Sequence, residues 1–239
     1  MSNENGATPY GPHSHGPHSY GPHSYGPHSL LAALSEDERQ VLLSLGRLRE
    51  YEPGDLLLNE GDTAMFVAIV LDGAVKIMGV TETGRTSLLA VRTAGDIVGE
   101  LGVLDGAPRV ATAIAAGLVR ARVIASAQFK DCLLRHPSIN AATTRTVVEK
   151  LRSATRRRID LGGREAKVRL ARVLLELHAD GGEVLLTQTE MSELIGSSEP
   201  TVHKALRTLR EQGVVDTRYR RLVIVDLARL REIADLPGD

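Results

Sequence analysis

A chain of 239 residues with 42% apolar side chains can form one large domain or two modest ones, which excludes disorder along its full length. The net charge is −1 at pH 7, so a surface that binds a polyanion must be a local one. The single cysteine, Cys132, excludes an intramolecular disulfide, a four-cysteine zinc site and a cysteine-ligated iron–sulfur cluster. Apolar runs are too short to cross a bilayer and the N-terminus lacks the apolar core of a signal peptide, so we expect no membrane partner and a cytoplasmic location.

Residues 1–29 are a low-complexity tail in which GPHSH, GPHSY, GPHSY and GPHSL follow one another from Gly11. Gly, Pro and Ser at this density bury no surface, so the tail is predicted to be disordered. Neutral imidazoles are good ligands for zinc, nickel or copper, and the tail carries His13, His15, His18, His23 and His28. A metal-binding protein that acts through this tail is therefore one hypothesis. A solvated extension with weak metal affinity is the other.

Residues 30–136 form a predicted β domain. Ser35 followed by three acidic residues is typical of a helix start. From Leu48 to Ser126, short apolar runs alternate with turn signals such as Leu71-Asp72-Gly73. Strands this regular, without helices between them, indicate an antiparallel sandwich or barrel.

Residues 137–161 form a predicted long helix, preceded by a short helix from Ala127 to Arg135. Six of its residues follow the alternating four-and-three spacing of a two-helix seam, namely Thr144, Val147, Leu151, Ala154, Arg158 and Leu161. This spacing predicts a dimerisation helix. Packing of the helix against its own barrel is the alternative, and Gly162-Gly163 is a predicted hinge.

Residues 162–239 form a predicted winged helix-turn-helix. A first helix begins at the capping Thr187, which has Glu190 three residues later, and ends at Gly196. A second helix begins at Pro200, and a two-stranded hairpin with a basic tip follows it.

In helix-turn-helix domains the second helix enters the major groove and flanking residues hold phosphates. The predicted groove contacts are Ser198, Glu199, Thr201, His203 and Lys204, and the predicted phosphate contacts are Arg207, Arg218, Arg220 and Arg221. A helical hairpin with a solvated charged face, which never touches DNA, is the alternative.

The segment from Val98 to Thr112, VGELGVLDGAPRVAT, places Glu100 and Arg109 in a loop rich in small residues. Such a loop can direct backbone N–H groups at a phosphate, which an arginine neutralises with paired donors. A nearby carboxylate can accept from a sugar hydroxyl. A charge pair that braces a strand connection would explain the same residues.

With this loop inside a β domain and a long helix and DNA reader after it, the chain resembles the CRP/FNR family of bacterial transcription regulators from about Leu30 to Ala234. The segment Gly99-Glu100-Leu101 through Pro108-Arg109-Val110-Ala111-Thr112 is similar to the phosphate-binding cassette of cyclic-nucleotide-binding domains. The resemblance implies that Glu100 holds the ribose 2′-hydroxyl and Arg109 the cyclic phosphate. It also implies amide contacts around Gly99, Leu101 and Ala111, with Val110 beside them, and a base contact from Thr155 or Ala154.

The chain departs from the family pattern in three respects. Val110 offers no hydroxyl where the family often has Ser, Thr or Ala, which disfavours cyclic GMP. Lys150 and Ala154 stand where cyclic-AMP-responsive members usually carry Arg and Thr. Glu199-Pro200 replaces the usual Arg-Glu, so we expect a different DNA half-site.

The fold implied is α+β, with an N-terminal antiparallel β-barrel of the cyclic-nucleotide-binding type, a long dimerisation helix and a C-terminal winged helix-turn-helix. The implied function is that of a homodimeric transcription regulator, not an enzyme, whose effector is cyclic AMP. Its implied partners are double-stranded DNA, a second copy of the chain and RNA polymerase. A regulator that binds DNA without any nucleotide is the main alternative.

Overall fold

The computed structural model describes residues 25–26, 28–80, 84, 86–178, 183–184, 186–218 and 221–235. The repeats of residues 1–24 lie outside the described residues, and with them all the predicted tail ligands except His28. Within the described ranges, the His, Cys, Asp and Glu side chains form no group of three or more that could hold a metal ion. The described helices include none that is both long enough and apolar enough to span a membrane.

The described residues ahead of the first strand form a short 3-10 turn, Leu31–Ala33, and helix α1, Glu36–Ser44. The predicted start of this helix is confirmed. The Ser35 hydroxyl accepts from the Glu38 amide, and the Glu38 carboxylate accepts from the Ser35 amide at 2.8 Å. This capping box satisfies two backbone donors that the helix itself leaves free.

The described residues of the β domain then form eight strands, all paired antiparallel. They are β1 (Arg47–Tyr51), β2 (Leu56–Leu58), β3 (Phe66–Asp72), β4 (Val75–Val80), β5 (Thr86–Arg92), β6 (Ile97–Val98), β7 (Thr112–Ala115) and β8 (Val119–Ala125). They form two four-stranded sheets, in the orders β1-β8-β3-β6 and β2-β7-β4-β5. The predicted sandwich or barrel therefore consists of two facing sheets, whose shared core includes Tyr51, Val70, Val75 and Val119.

One helix of the β region was not predicted. Helix α2, Glu100–Asp105, lies between β6 and β7 and begins directly after Gly99. At six residues it is shorter than the window in which helical periodicity can be recognised, which explains why the sequence pattern does not show it.

Helices α3 (Ser126–Arg135) and α4 (Pro137–Leu161) leave the β region. The first turns of α4 are buried on the β-domain core through Ile139 and Ala142. Further along, the apolar side chains of Val148, Leu151 and Ile159 are exposed in the protomer. Packing on its own domain and an unpartnered apolar face thus occupy successive parts of the same helix.

The C-terminal region has the predicted helix-turn-helix with a wing. Its elements are α5 (Ala166–Leu177), β9 (Glu183–Val184), α6 (Gln188–Ile195), α7 (Glu199–Glu211), β10 (Val215–Arg218), β11 (Arg221–Ile224) and α8 (Leu227–Ile233). The sheet order is β10-β11-β9, so the predicted two-stranded hairpin gains a third strand. The predicted α+β fold, with a β domain, a long helix and a winged helix-turn-helix, is confirmed.

The helix-turn-helix packs on the second sheet of the β domain. Leu88 and Val91 of β5 belong to the same hydrophobic cluster as Met191 and Leu194 of α6. At this contact the Glu193 carboxylate accepts from the Leu88 amide at 2.8 Å. Lys76 of β4 forms an ion pair with Glu190.

Candidate functional site

The loop that begins at Gly99 depends on the absence of a side chain there. Gly99 has φ of 83°, in the left-handed region that favours glycine. A Cβ on this residue would lie 2.5 Å from Nη1 of Arg109 and 2.8 Å from Cδ1 of Leu58. Glycine is therefore required both by the backbone turn and by the close approach of the arginine.

Arg109 is buried in this loop, with 5% of its surface exposed. Its guanidinium donates to the carbonyl oxygens of Gly99 and Phe66 and lies over the Phe66 ring, 5.3 Å from the centroid. Burial lowers the pKa of Arg109, and the nearby carboxylates of Glu100 and Asp62 oppose that shift. Among the described residues, however, no carboxylate forms an ion pair with Arg109 within 4.0 Å.

Glu100, the first residue of α2, is 4% exposed and pairs with the long helix rather than with Arg109. Nζ of Lys150 lies 2.8 Å from its Oε1 and also donates to the Ile97 carbonyl at 2.6 Å. Burial lowers the pKa of Lys150, and the Glu100 carboxylate opposes that shift. The predicted alternative of a Glu100–Arg109 charge pair is therefore not the arrangement that the structure has.

The contact between Lys150 and Glu100 was not predicted from the sequence. Lys150 was singled out as a departure from a family pattern, but 50 positions separate it from Glu100 in the chain. Only the folded path of α4 across β6 and α2 brings the ammonium and the carboxylate together.

The remaining predicted cassette residues are less enclosed. Leu101 and Val110 are exposed, and Ala111 is half-buried. Thr155 is exposed on α4, and its hydroxyl donates to the Leu151 carbonyl at 2.9 Å. The structure thus brings Gly99, Glu100 and Arg109 together and places Thr155 just over one helical turn beyond Lys150.

The C-terminal helix pair is built as its local sequence predicts. The Thr187 hydroxyl accepts from the Glu190 amide at 3.2 Å, and the Glu190 carboxylate accepts from the Thr187 amide at 2.9 Å. Gly196 ends α6 in the left-handed conformation, with φ of 55°. Helix α7 then buries one face, formed by Val202, Ala205, Leu206 and Leu209.

The predicted DNA-contacting residues of α7 lie on its opposite, accessible face. Ser198, Glu199, His203, Lys204 and Arg207 are exposed, and Thr201 is half-buried. Several of them already have partners. The Glu199 carboxylate accepts from the Thr189 hydroxyl at 2.8 Å, the Ser198 and Thr201 hydroxyls share a hydrogen bond of 2.8 Å, and Arg207 pairs with Glu211 at 2.8 Å.

The structure adds Arg210 to this accessible face. Arg210 is exposed and, with His203 and Arg207, lines a small cleft beside the wing strand β10. Its position three residues after Arg207 and seven after His203 could have indicated the shared face. Arg218 and Arg221 are paired across the wing, but their side chains and Arg220 lie outside what the structure describes.

Comparison with known protein families gives two matches. Residues 48–136 match the cyclic nucleotide-binding domain, and residues 168–233 match the Crp-like helix-turn-helix domain. The first match includes the Gly99–Ala111 loop, and the second includes α6 and α7.

Transcription regulators from bacteria match most of the chain. A CRP-like cAMP-activated global transcriptional regulator of Mycobacterium tuberculosis is 30% identical over 213 residues, which cover 84% of this chain and 91% of the relative. The cAMP-activated global transcriptional regulator Vfr of Pseudomonas aeruginosa is 27% identical, with coverage of 77% and 91%.

A solved structure of a CRP/FNR-family transcriptional regulator from Thermus thermophilus superposes with a TM-score of 0.63. It is 26% identical and covers 80% of this chain and 100% of its own. The family consists of DNA-binding transcription regulators rather than enzymes. From the sheet pair, the loop around Arg109, the winged helix-turn-helix and these relatives together, we conclude that the chain belongs to the CRP/FNR family of transcriptional regulators.

Proposed function

We propose that the chain acts as a homodimer whose binding to duplex DNA is modulated by cyclic AMP held in the loop from Gly99 to Ala111. RNA polymerase as a further partner and a cytoplasmic location belong to the same proposal. The relatives from M. tuberculosis and P. aeruginosa are named as cAMP-activated, which supports this choice of effector.

The buried guanidinium of Arg109 is the observation that carries the effector proposal. A charge this deeply buried is costly unless it is compensated, and here two backbone carbonyls and a ring face provide only partial compensation. A phosphate would supply the missing negative charge in a bidentate geometry that suits arginine. The amides that open α2 and the loop around Ala111 would complete the anion site.

Glu100 is suited to accept a hydrogen bond from a ribose hydroxyl, but its carboxylate is bonded to Lys150. Nucleotide binding at this position therefore requires Lys150 to move or to share the carboxylate. Because Lys150 belongs to α4, a movement of its side chain away from Glu100 would directly change the contacts of the helix that connects the two domains. Thr155, farther along the same helix, is our candidate for the base contact.

The DNA part of the proposal rests on the accessible face of α7. Its first turn carries Ser198, Glu199 and Thr201, and His203 and Lys204 follow, where side chains of a recognition helix reach base edges. Arg207, Arg218, Arg220 and Arg221 would hold phosphates. In a two-fold dimer the two copies of α7 would fit half-sites about one DNA turn, roughly 34 Å, apart.

Coupling between the two sites is a matter of differential affinity. A nucleotide can shift the equilibrium between two arrangements of the DNA-binding domains only as far as it binds one arrangement more tightly than the other. The ion pair between Glu100 and Lys150 gives a physical basis for such a difference, since a ligand hydroxyl would compete with Lys150 for the carboxylate.

Isothermal titration calorimetry of the full chain with cyclic AMP and cyclic GMP tests the effector. We expect heat with cyclic AMP, less or none with cyclic GMP, and none with cyclic AMP after Arg109→Leu. Arg47→Leu, at an exposed position of β1, is the matched control and should keep the wild-type heat. Circular dichroism checks that each variant is folded. Absence of heat with wild-type protein would contradict the effector proposal.

DNA binding is tested by selecting duplexes from a random pool, with and without cyclic AMP, and measuring their affinity by fluorescence anisotropy. Lys204→Ala should weaken binding by roughly tenfold, the effect of a lost base or phosphate contact. Lys130→Ala, at an exposed position on α3, should not change it.

A regulator that binds DNA without nucleotide is the second candidate, and one observation favours it. Lys150 pairs with Glu100, and two carbonyls accept from Arg109, so the protein's own groups already occupy part of the site. Equal selection of duplexes with and without cyclic AMP, together with no calorimetric heat, would identify this second function.

A further inference from the structure

A cavity of about 230 Å³ lies between the β domain, the long helix α4 and the first helix of the DNA-binding domain, α5. Arg92 and Asp96 line it from the β domain, Glu149 to Asp160 from α4, and Arg169 to Leu177 from α5. Arg109 and Glu100 of the Gly99–Ala111 loop are not among its lining residues. Lys150 contributes to the wall, but its ammonium is bonded to Glu100 and to Ile97.

The lining residues of the two helices follow helical spacing. Glu149, Ser153, Arg156 and Asp160 recur every three or four positions on α4. Arg169, Arg172 and Glu176 do the same on α5. Each helix therefore turns one continuous face toward the cavity.

Three of the carboxylates in the cavity wall have cationic partners within the protein, and the first of them, Glu149, pairs with Arg152 at 3.2 Å. Both oxygens of Asp160 accept from Arg172, at 2.9 and 2.8 Å. The Glu176 carboxylate accepts from Arg157 at 2.7 Å and from the Ser153 hydroxyl at 2.8 Å. These contacts largely neutralise the carboxylates of Asp160 and Glu176.

Three arginines of the wall are not compensated in this way. In the described part of the chain, Arg92, Arg156 and Arg169 form no ion pair with a carboxylate within 4.0 Å. The Asp96 carboxylate lies in the same wall and attracts Arg92 electrostatically, while it accepts a hydrogen bond from the Thr93 amide. An excess of unpaired guanidinium groups around a cavity favours an anionic occupant.

Arg169 supplies a second, independent observation. Its Nε is buried and has no hydrogen-bond partner, and its Nη1 reaches the Leu161 carbonyl only at 3.5 Å. Buried donors are nearly always satisfied in folded proteins. This guanidinium is therefore poised for an acceptor that the described residues do not provide.

The rest of the wall is apolar and includes Val91, Val173, Leu175 and Leu194. We propose that this cavity is a second ligand site, distinct from the Gly99–Ala111 loop, for a small anion that joins a phosphate group to an apolar body. Arg156 and Arg169 bind the phosphate, with Arg92 adding positive charge from the β domain. The apolar body lies against the valines and leucines.

An occupant of this cavity touches both domains and the helix between them. It therefore stabilises the arrangement in which α5 and α6 lie on the β domain, by as much as it prefers that arrangement to others.

Phenyl phosphate is the probe for this proposal, because it combines a phosphate with an apolar ring. Titration of the full chain in the Arg109→Leu background, followed by ligand-observed NMR, removes any contribution from the other site. We expect saturable binding of phenyl phosphate, weaker binding of inorganic phosphate and no binding of benzyl alcohol.

Arg156→Gln and Arg169→Gln should each weaken phenyl phosphate binding by roughly tenfold, as expected for loss of a charge-assisted contact. Arg145→Gln, at an exposed position on α4 that does not line the cavity, should leave the affinity within twofold. Circular dichroism and the melting temperature confirm that the variants fold. The proposal is overturned if phenyl phosphate does not bind, or if Arg145→Gln weakens it as much as the two cavity variants.

Discussion

At the level of single residues, the sequence predicted which charged side chains of the Gly99–Ala111 loop lie together, but it did not predict what they pair with. Gly99, Glu100 and Arg109 are brought together as expected. The partner of Glu100, however, is Lys150 on a distant helix. A pair separated by 50 positions has no local periodicity or spacing that could reveal it, because only tertiary packing brings it together.

Replacing Lys150 by Met is predicted to lower the free energy of unfolding by about 3 kcal/mol, because the Glu100 carboxylate would stay buried without its cation. Urea denaturation followed by circular dichroism measures this change. The double variant Glu100→Gln/Lys150→Met should cost less than the sum of the two single variants, since neither charge then remains buried alone.

Lys130→Met, at an exposed position on α3, is the control and should change stability by less than about 0.5 kcal/mol. Strict additivity in the double variant would show that the ion pair does not contribute as described.

At the level of elements, local capping and turn signals were reliable guides. Ser35 with Glu38 and Thr187 with Glu190 both form the capping boxes that their spacing indicates. Strand β9 and helix α2 were not predicted, at two and six residues respectively. A two-residue strand depends on its partner strand for its hydrogen bonds, and a six-residue helix is shorter than the window in which helical periodicity can be recognised.

The contact of α6 with β4 is predicted to weaken in acid. Partial burial raises the pKa of Glu190, but hydrogen bonds from Lys76 and Thr187 outweigh it and place the pKa below its usual 4.5. A carboxyl whose pKa is depressed by folding stabilises the folded protein above its unfolded pKa. That stabilisation is lost as the pH falls through the folded pKa.

Melting temperatures of the wild type and Glu190→Gln, measured from about pH 6 to pH 3, test this behaviour. The wild type should be the more stable at the upper end, and the difference should disappear toward the lower end. Glutamine can still serve in the capping box, so the comparison reports mainly on the charge. A difference that does not depend on pH would contradict the role given to the ion pair with Lys76.

At the level of the whole molecule, periodicity predicted the type and order of the longer elements but not the arrangement of the sheets. The strand orders β1-β8-β3-β6 and β2-β7-β4-β5 join strands far apart in the chain. The contact between the helix-turn-helix and β5 was likewise not predicted. It depends on the shape of two folded surfaces, of which Leu88 and Met191 are buried parts.

Leu151→Glu is predicted to convert a dimer into a monomer. Leu151 and Ile159 are 67% and 68% exposed in the protomer, on the helix that carries the predicted seam. A charge buried between two copies of α4 would be strongly unfavourable. Sedimentation equilibrium should give twice 25.7 kDa for the wild type and 25.7 kDa for the variant.

Leu134→Glu is the matched control for this experiment. Leu134 on α3 is 82% exposed, more than Leu151, yet it lies outside the predicted seam. The control should remain dimeric. A wild-type monomer, or a dimer that survives Leu151→Glu, would argue against pairing through α4.

The hydrophobic cluster that contains Leu88 and Val91 of β5 also contains Leu174, Met191 and Val202 of the C-terminal half. Unfolding of either half would therefore expose apolar surface of the other half to water. We expect the two halves to unfold cooperatively. The glycines after α4 mark a boundary in the chain, but the hydrophobic cluster continues across that boundary. A polar substitution at Leu88 is therefore expected to destabilise the helix-turn-helix as well as the sheet that carries it.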